Sequence, residues 1–331
     1  MADTSKTSSI EDRPARSDIQ QDEIQVGDLL EERYLVKKKI KESDHSINGI
    51  RTTIWFVEDK KLQNNFMVKE YKYENDEARK ETERLIKQIA RQEDLYGDVR
   101  VMDSFESGNS NFVVMYFYGT IKPFLGILSD TLDNKISDIK WSLKDRVEYL
   151  GLLGRKILKM AKNRKYHFDL KLKNIIVEHN KPLFLDVDTM VDLSREDIDY
   201  SKNPGEDYPS TPNIISPERI QEEPIIDFYK SEVYSFGLIA FGLIFKDMLI
   251  RKDNFSNQEL YLSFIVNIDF NDKDNPGYER LELLVDRSPF ALKQKDELKI
   301  LFRQILQVDP NKRIGIPEFL ERLEEITLRA E

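Results

Sequence analysis

The sequence predicts an α+β fold in two unequal parts: a small antiparallel sheet carrying one helix, then a larger, mainly helical region. Three observations lead there. Short runs rich in β-branched and aromatic residues crowd the first third of the chain, and a single amphipathic stretch interrupts them. After Gly119 the apolar period becomes that of helices.

From Val26 the runs RYLVKKKI, TTIWFVED and NFMVKEY alternate with charged turns and read as strands. NDEARKETERLIKQIARQ then sets Ala78, Thr82, Leu85, Ile86 and Ile89 on one helical face. VRVMDSFES and NFVVMYF follow, joined by the turn signal GNSN. Three strands, a helix and two strands predict a five-stranded sheet with one helix. LKDRVEYLGLLGRKILKMAKNR reads as a long amphipathic helix, and NIIVEHNKPLFLDV as a hairpin turning at His179–Pro182. From Glu232 helices dominate. The expected divisions are a tail over 1–25, a first part over 26–118 and a second over 119–331. The tail is polar and charged, so it cannot bury enough apolar surface to offset its ordering entropy, and flexibility is expected.

Composition narrows the function classes. With 331 residues and 40% hydrophobic content the chain can build a sizeable core. Its most apolar run, YSFGLIAFGLIF (Tyr234–Phe245), is shorter than the roughly 18 to 20 residues that span a bilayer, so a buried helix and no membrane span are expected. The absence of cysteine excludes disulfides and thiolate metal sites, and three scattered histidines do not make a zinc site. A net charge of -10 argues against nonspecific nucleic-acid binding, which needs a basic surface. The first residues lack an apolar signal region, which points to the cytoplasm, or to a host cytosol if a specialised secretion route delivers the protein.

One set of residues has the parts of a phosphoryl-transfer site. That reaction needs a cation on the phosphates, hard oxygen ligands for magnesium, and an acidic group at the attacking hydroxyl. Lys69 ends the third strand; Asp169 lies five positions before Asn174; Asp186 ends the hairpin that follows. Asn174 and Asp186 offer the hard donors that magnesium takes alongside phosphate oxygens and water.

HFDLKLKN (His167–Asn174) resembles the H-R-D-L-K-x-x-N catalytic loop of eukaryotic-type serine/threonine protein kinases at every defined position but one. The resemblance implies Asp169 as catalytic base, Lys171 as a γ-phosphate contact and Asn174 as a metal ligand. Leu185–Asp188 stands in the place of D-F-G, which makes Asp186 the main magnesium ligand. STPNIISPE (Ser210–Glu218) resembles the end of the activation segment, and Arg313 in VDPNKRI is then the partner of Glu218. KSEVYSFG is similar to the start of the central helix of the second lobe, with Glu232 where an aspartate is usual, and GDLLEERYLVKKKI to the first strand. A bilobal protein-kinase-like fold from about residue 27 onward is implied, with ATP and Mg2+ as cofactors. Met67 would roof the adenine, Ile176 floor it, Met115 act as gatekeeper, and Tyr116, Phe117 and Tyr118 form the hinge.

Five departures from the family pattern qualify the site. The glycine-rich loop is missing: Lys41 and Ser43 stand at its first two glycines, with Gly49 following. Met67 replaces a small residue. The helix face centres on Thr82, leaving Glu81 and Glu83 about 100° to either side, and Glu81 is expected to turn inward to Lys69. Phe168 replaces the arginine that receives an activating phosphate, and Val187 and Asp188 replace the last two residues of D-F-G. The expected function is an ATP- and Mg2+-dependent serine/threonine protein kinase. Its protein substrate would be basic near the acceptor, because acids far outnumber bases between Asp186 and Asp227. The alternative is a pseudokinase that binds nucleotide or acts as a scaffold. A small-molecule kinase, which shares a His-x-Asp-x4-Asn loop, is opposed by Lys171, the STPNIISPE segment and the Glu218–Arg313 pair.

Overall fold

A computed structural model describes residues 23–43, 49–96, 101–116, 132–133, 136, 141–178, 180–185, 190–192, 216–220, 227–250 and 267–329. They fall in two units, one formed by residues up to 86 together with 101–116, the other by 87–100 and everything from 117. Residues 1–22 of the predicted tail, the hinge residues Phe117 and Tyr118, the D-F-G-like residues Asp186, Val187 and Asp188, and most of the acidic segment after them lie outside the described residues.

The first unit is an antiparallel sheet of β1 (Leu29–Leu30), β2 (Tyr34–Glu42), β3 (Ile50–Asp59), β4 (Asn64–Tyr73), β5 (Val101–Ser107) and β6 (Ser110–Tyr116), in the order β1-β2-β3-β4-β6-β5. It has six strands rather than the expected five. The extra one, Leu29–Leu30, pairs back on Tyr34–Leu35 through Glu31 and Glu32, both at positive φ, and two residues are too few to show a period. Side-chain alternation divides the sheet cleanly. Tyr34, Val36, Trp55, Val57, Phe66, Val68, Phe112 and Val114 form one core, with Phe105 stacked between Tyr34 and Phe112. The sheet curls so far that the start of β2 meets β5: Tyr34 Oη and Arg33 Nη1 donate to Asp103 of β5 at 2.9 and 3.2 Å. On the other face lies α1 (Asp76–Tyr96), started by Asn75 Oδ1 accepting the Ala78 N–H.

The second unit is built around α4 (Phe228–Phe245), buried on every side from Ser231 to Ile244, as the apolar run predicts. Before it come α2 (Leu143–Lys162), β7 (Lys165–Tyr166), the hairpin β8 (Ile175–Glu178) and β9 (Lys181–Phe184), β10 (Val191–Asp192) and the short α3 (Pro217–Ile220). After it come α5 (Pro276–Asp286), α6 (Leu292–Ile305) and α7 (Ile316–Leu328). Ser142 and Asp145 form a capping box at the start of α2. Gly154 lets α2 close on α7, since a Cβ there would lie 2.7 Å from Ile316 Cγ2. Arg146 donates to the carbonyls of Leu243 and Ile244 and so satisfies the end of α4. In the hairpin, Glu178 pairs with Lys181 and Asn180 takes φ 60, so Lys181 and Pro182 belong to a strand rather than to the turn. Among the described residues no helix is long and apolar enough to cross a membrane. The chain is α+β, a curled antiparallel sheet followed by helices.

Candidate active site

In the second unit, α2 delivers the chain through a left-handed turn at Arg164 into β7, whose Tyr166 pairs with Val191 of β10. His167 follows, completely buried. Its backbone N–H donates to Glu232 Oε1 at the start of α4, and its Nε2 lies 2.7 Å from the carbonyl of Leu185. Glu232 also receives the Phe168 N–H, yet burial outweighs both bonds and pushes its carboxyl up to about 8.

Phe168 is buried at φ 64, a conformation that bulky side chains seldom adopt. It is the apex of a three-residue turn closed by the Asp169 N–H on the His167 carbonyl at 2.8 Å. Its ring packs 5.1 Å from that of Phe228 and under the guanidinium of Arg219, whose Cζ is 3.6 Å from the ring centre. Asp169 comes next. Its Oδ2 accepts from Lys171 Nζ at 2.5 Å and from Asn174 Nδ2 at 3.0 Å, and the same Nδ2 also reaches the Asp169 carbonyl. Leu172–Asn174 forms a single 3-10 turn, and the Leu185 N–H donates to the Asn174 carbonyl at 2.8 Å, tying the loop to the end of β9. Ile176 is buried on β8, opposite Leu183.

Asp169, Lys171 and Asn174 are therefore brought together, with an acidic oxygen, a cation and an amide within hydrogen-bonding distance. Anchoring Nδ2 fixes the amide of Asn174, so its oxygen has a set direction. An arrangement of this kind is chemically able to orient a hydroxyl and to share a hard cation with phosphate oxygens.

In the first unit, Lys69 is buried in the middle of β4 between Ile54 and Val113, its Nζ 5.3 Å from the ring centre of Tyr71. Met67 lies two residues earlier on the same face, with Met115 as its neighbour on β6. The helix residue that faces this side of the sheet is Thr82. It is fully buried, and its Oγ1 accepts from Asn111 Nδ2 at 2.6 Å while donating to the Arg79 carbonyl. The expected inward turn of Glu81 does not occur: its carboxylate lies on the helix flank, 3.4 Å from Arg84. Holding Thr82 on Asn111 fixes the rotation of α1 and leaves Glu81 outside. Glu70 is no substitute, since it points to the opposite face and accepts from Trp55 Nε1 and Ser110 Oγ, both at 2.9 Å.

Where a glycine-rich loop would begin, Ser43 continues the β2–β3 pairing: its N–H donates to the Thr52 carbonyl and its Oγ accepts the Thr52 N–H. Residues 44–48 lie outside the described ones. Gly49, at φ 72, is a turn glycine against the start of α1, where an added Cβ would stand 3.2 Å from Asn75 Nδ2.

The Glu218–Arg313 pair has the expected form. Arg313 donates to both carboxylate oxygens at 2.9 and 3.1 Å, with each side chain buried. Arg219, the residue after Glu218, matches no position of the motif that the sequence offers, and nothing in the spacing points from it to Phe168.

The protein kinase domain model matches residues 49–323. A protein of Acanthamoeba polyphaga mimivirus, provisionally named a serine/threonine-protein kinase/receptor, is 31% identical over 168 residues; the match takes in 45% of this chain and 9% of that protein. This chain thus spans less than a tenth of that relative's length. With its domain match, its curled sheet and helical second unit, and the Asp169–Lys171–Asn174 loop, the chain belongs to the protein kinase family.

Proposed function

We propose that the protein transfers the γ-phosphate of ATP, with Mg2+, to a serine or threonine hydroxyl of a protein substrate. The observation that carries this reading is the Asp169 carboxylate held between Lys171 and Asn174. In that setting Asp169 orients the attacking hydroxyl and accepts its proton, while Lys171 turns from Asp169 to the transferring phosphate. Asn174 and Asp186 would hold the metal, and Lys69 the nucleotide phosphates. Bound with the nucleotide, magnesium would neutralise charge that builds on the phosphate oxygens. Met67, Met115, Ile176, Phe117 and Tyr118 would surround the adenine. Lys69 would work without Glu81, which is paired elsewhere. A substrate basic around its acceptor fits the acidic balance of the chain, and nothing in the reading calls for nucleic acid or a membrane.

The test is incubation of the purified protein with labelled ATP, Mg2+ and a generic basic protein, followed by phosphoamino-acid analysis. Label on serine or threonine is expected, falling by about 100-fold or more in Asp169→Ala. Label that persists undiminished in that variant would refute the assignment. The buried Thr82–Asn111 bond favours a second reading, a pseudokinase: no transfer, with nucleotide still raising the melting temperature.

A further inference from the structure

We propose that Arg219 is a positioning residue of the catalytic loop, gripping the Phe168–Asp169 peptide and the Phe168 ring so that Asp169 is presented in one orientation. The inference rests on the phosphotransfer reading for its consequence, and on geometry for its substance.

The peptide group that joins Phe168 to Asp169 is held at both ends. Its N–H donates to the His167 carbonyl at 2.8 Å, and its carbonyl accepts from Arg219 Nη1 at 2.6 Å. A plane fixed at both ends fixes the Cα of Asp169 next to it. The turn needs holding, because Phe168 sits at φ 64, where a bulky side chain is unfavourable and persists only when its surroundings impose it. The guanidinium does so twice: it bonds the carbonyl and sits over the ring, with Cζ 3.6 Å from the centre.

The platform under Arg219 is braced on both sides. Glu218 beside it is locked to Arg313, and Ser216 Oγ lies 2.8 Å from Ser231 Oγ of α4. Burial lowers the Arg219 pKa to about 10, against the opposing fields of Asp169, Glu232 and Glu218, so the group stays charged at neutral pH. Its charge is internal and permanent. In the family pattern the residue at 168 is itself the cation; here an aromatic ring occupies that place and the cation arrives from α3.

Three variants of the full chain test this: Arg219→Met, which keeps the apolar stem; Arg219→Gln, which keeps a donor without charge; and Arg219→Lys. Each is assayed for kcat and for KM of ATP, and followed by hydrogen exchange of the amides from 167 to 171 against those of α2 and α7. Arg219→Met is expected to lose about tenfold or more in kcat with the KM of ATP nearly unchanged, as a misplaced catalytic group does. Its 167–171 amides should exchange at least about tenfold faster while α2 and α7 stay protected. Arg219→Lys should recover part of the loss and Arg219→Gln less, and Arg219→Lys is read in the same way should Arg219→Met fail to fold. Wild-type kcat and exchange in the variants would overturn the proposal, as would acceleration spread evenly over α2 and α7. If the unaltered protein transfers no phosphate, the phosphotransfer reading fails, while exchange at 167–171 still decides whether Arg219 holds the turn.

Discussion

A carboxylate that accepts two backbone N–H groups ordinarily stays ionised well below neutral pH, but Glu232 does not, because full burial removes more solvation than His167 and Phe168 return. Its carboxyl is pushed from an ordinary 4.5 up to about 8. Between those values the folded chain retains a proton that the unfolded chain has released. Stability therefore falls as pH rises from about 4.5 to about 8, and below 4.5 both states are protonated and the effect vanishes. Glu232→Gln cannot titrate. Urea unfolding at pH 5.5 and pH 8.5 should show the native protein losing on the order of 3 kcal/mol more than the variant over that interval; parallel pH profiles would reject the assignment. At this scale legibility followed distance along the chain. Asp169, Lys171 and Asn174 share one turn, so their spacing announced them. Arg219 meets Phe168 across 51 positions, and no motif or spacing in the sequence joins the two.

Elements were legible wherever their own period governs them, and less so where a neighbour sets their rotation or end. The face of α1 was readable from Ala78 and Thr82, but the expectation that Glu81 would swing inward overlooked Asn111, which holds Thr82 from another strand. The two-residue β1 carried no period at all, and the turn of the β8–β9 hairpin proved shorter than its composition suggested because Asn180 accepts a left-handed backbone. The Glu218–Arg313 pair was foreseen only through the family motif, since nothing local joins α3 to the turn before α7. Its loss should be costly. Arg313 is fully buried, donates to both oxygens of Glu218, and serves the carbonyls of Gln307 and Lys230 as well. Arg313→Ala leaves a buried carboxylate and several carbonyls unsatisfied, and should cost about 3 to 5 kcal/mol in chemical denaturation, or prevent folding. A loss under about 1 kcal/mol would mean that water replaces the guanidinium and that the pair does not anchor α3.

For the molecule as a whole the governing quantity is charge. A net charge of -10 disfavours nonspecific nucleic-acid binding, and on the proposed reading the acids between Asp186 and Asp227, the stretch in which the family binds its peptide substrate, would draw cationic peptides over acidic ones. Such attraction acts on encounter and complex formation over several ångströms of water, and so is open to screening, whose length falls from about 14 Å at 50 mM salt to about 5–6 Å at 300 mM. The bonds that hold Asp169 to Lys171 and Asn174 act at contact in a largely buried loop and should feel salt little. The two effects separate in kinetics. With a serine-containing peptide flanked by lysines or arginines, KM should rise several-fold between 50 and 300 mM salt while kcat changes by less than about twofold. The same peptide with glutamates in the flanks should be the poorer substrate at low salt, and the gap between the two should narrow as salt increases. Equal use of both peptides at 50 mM, or a KM indifferent to salt, would show that these acids do not select the acceptor.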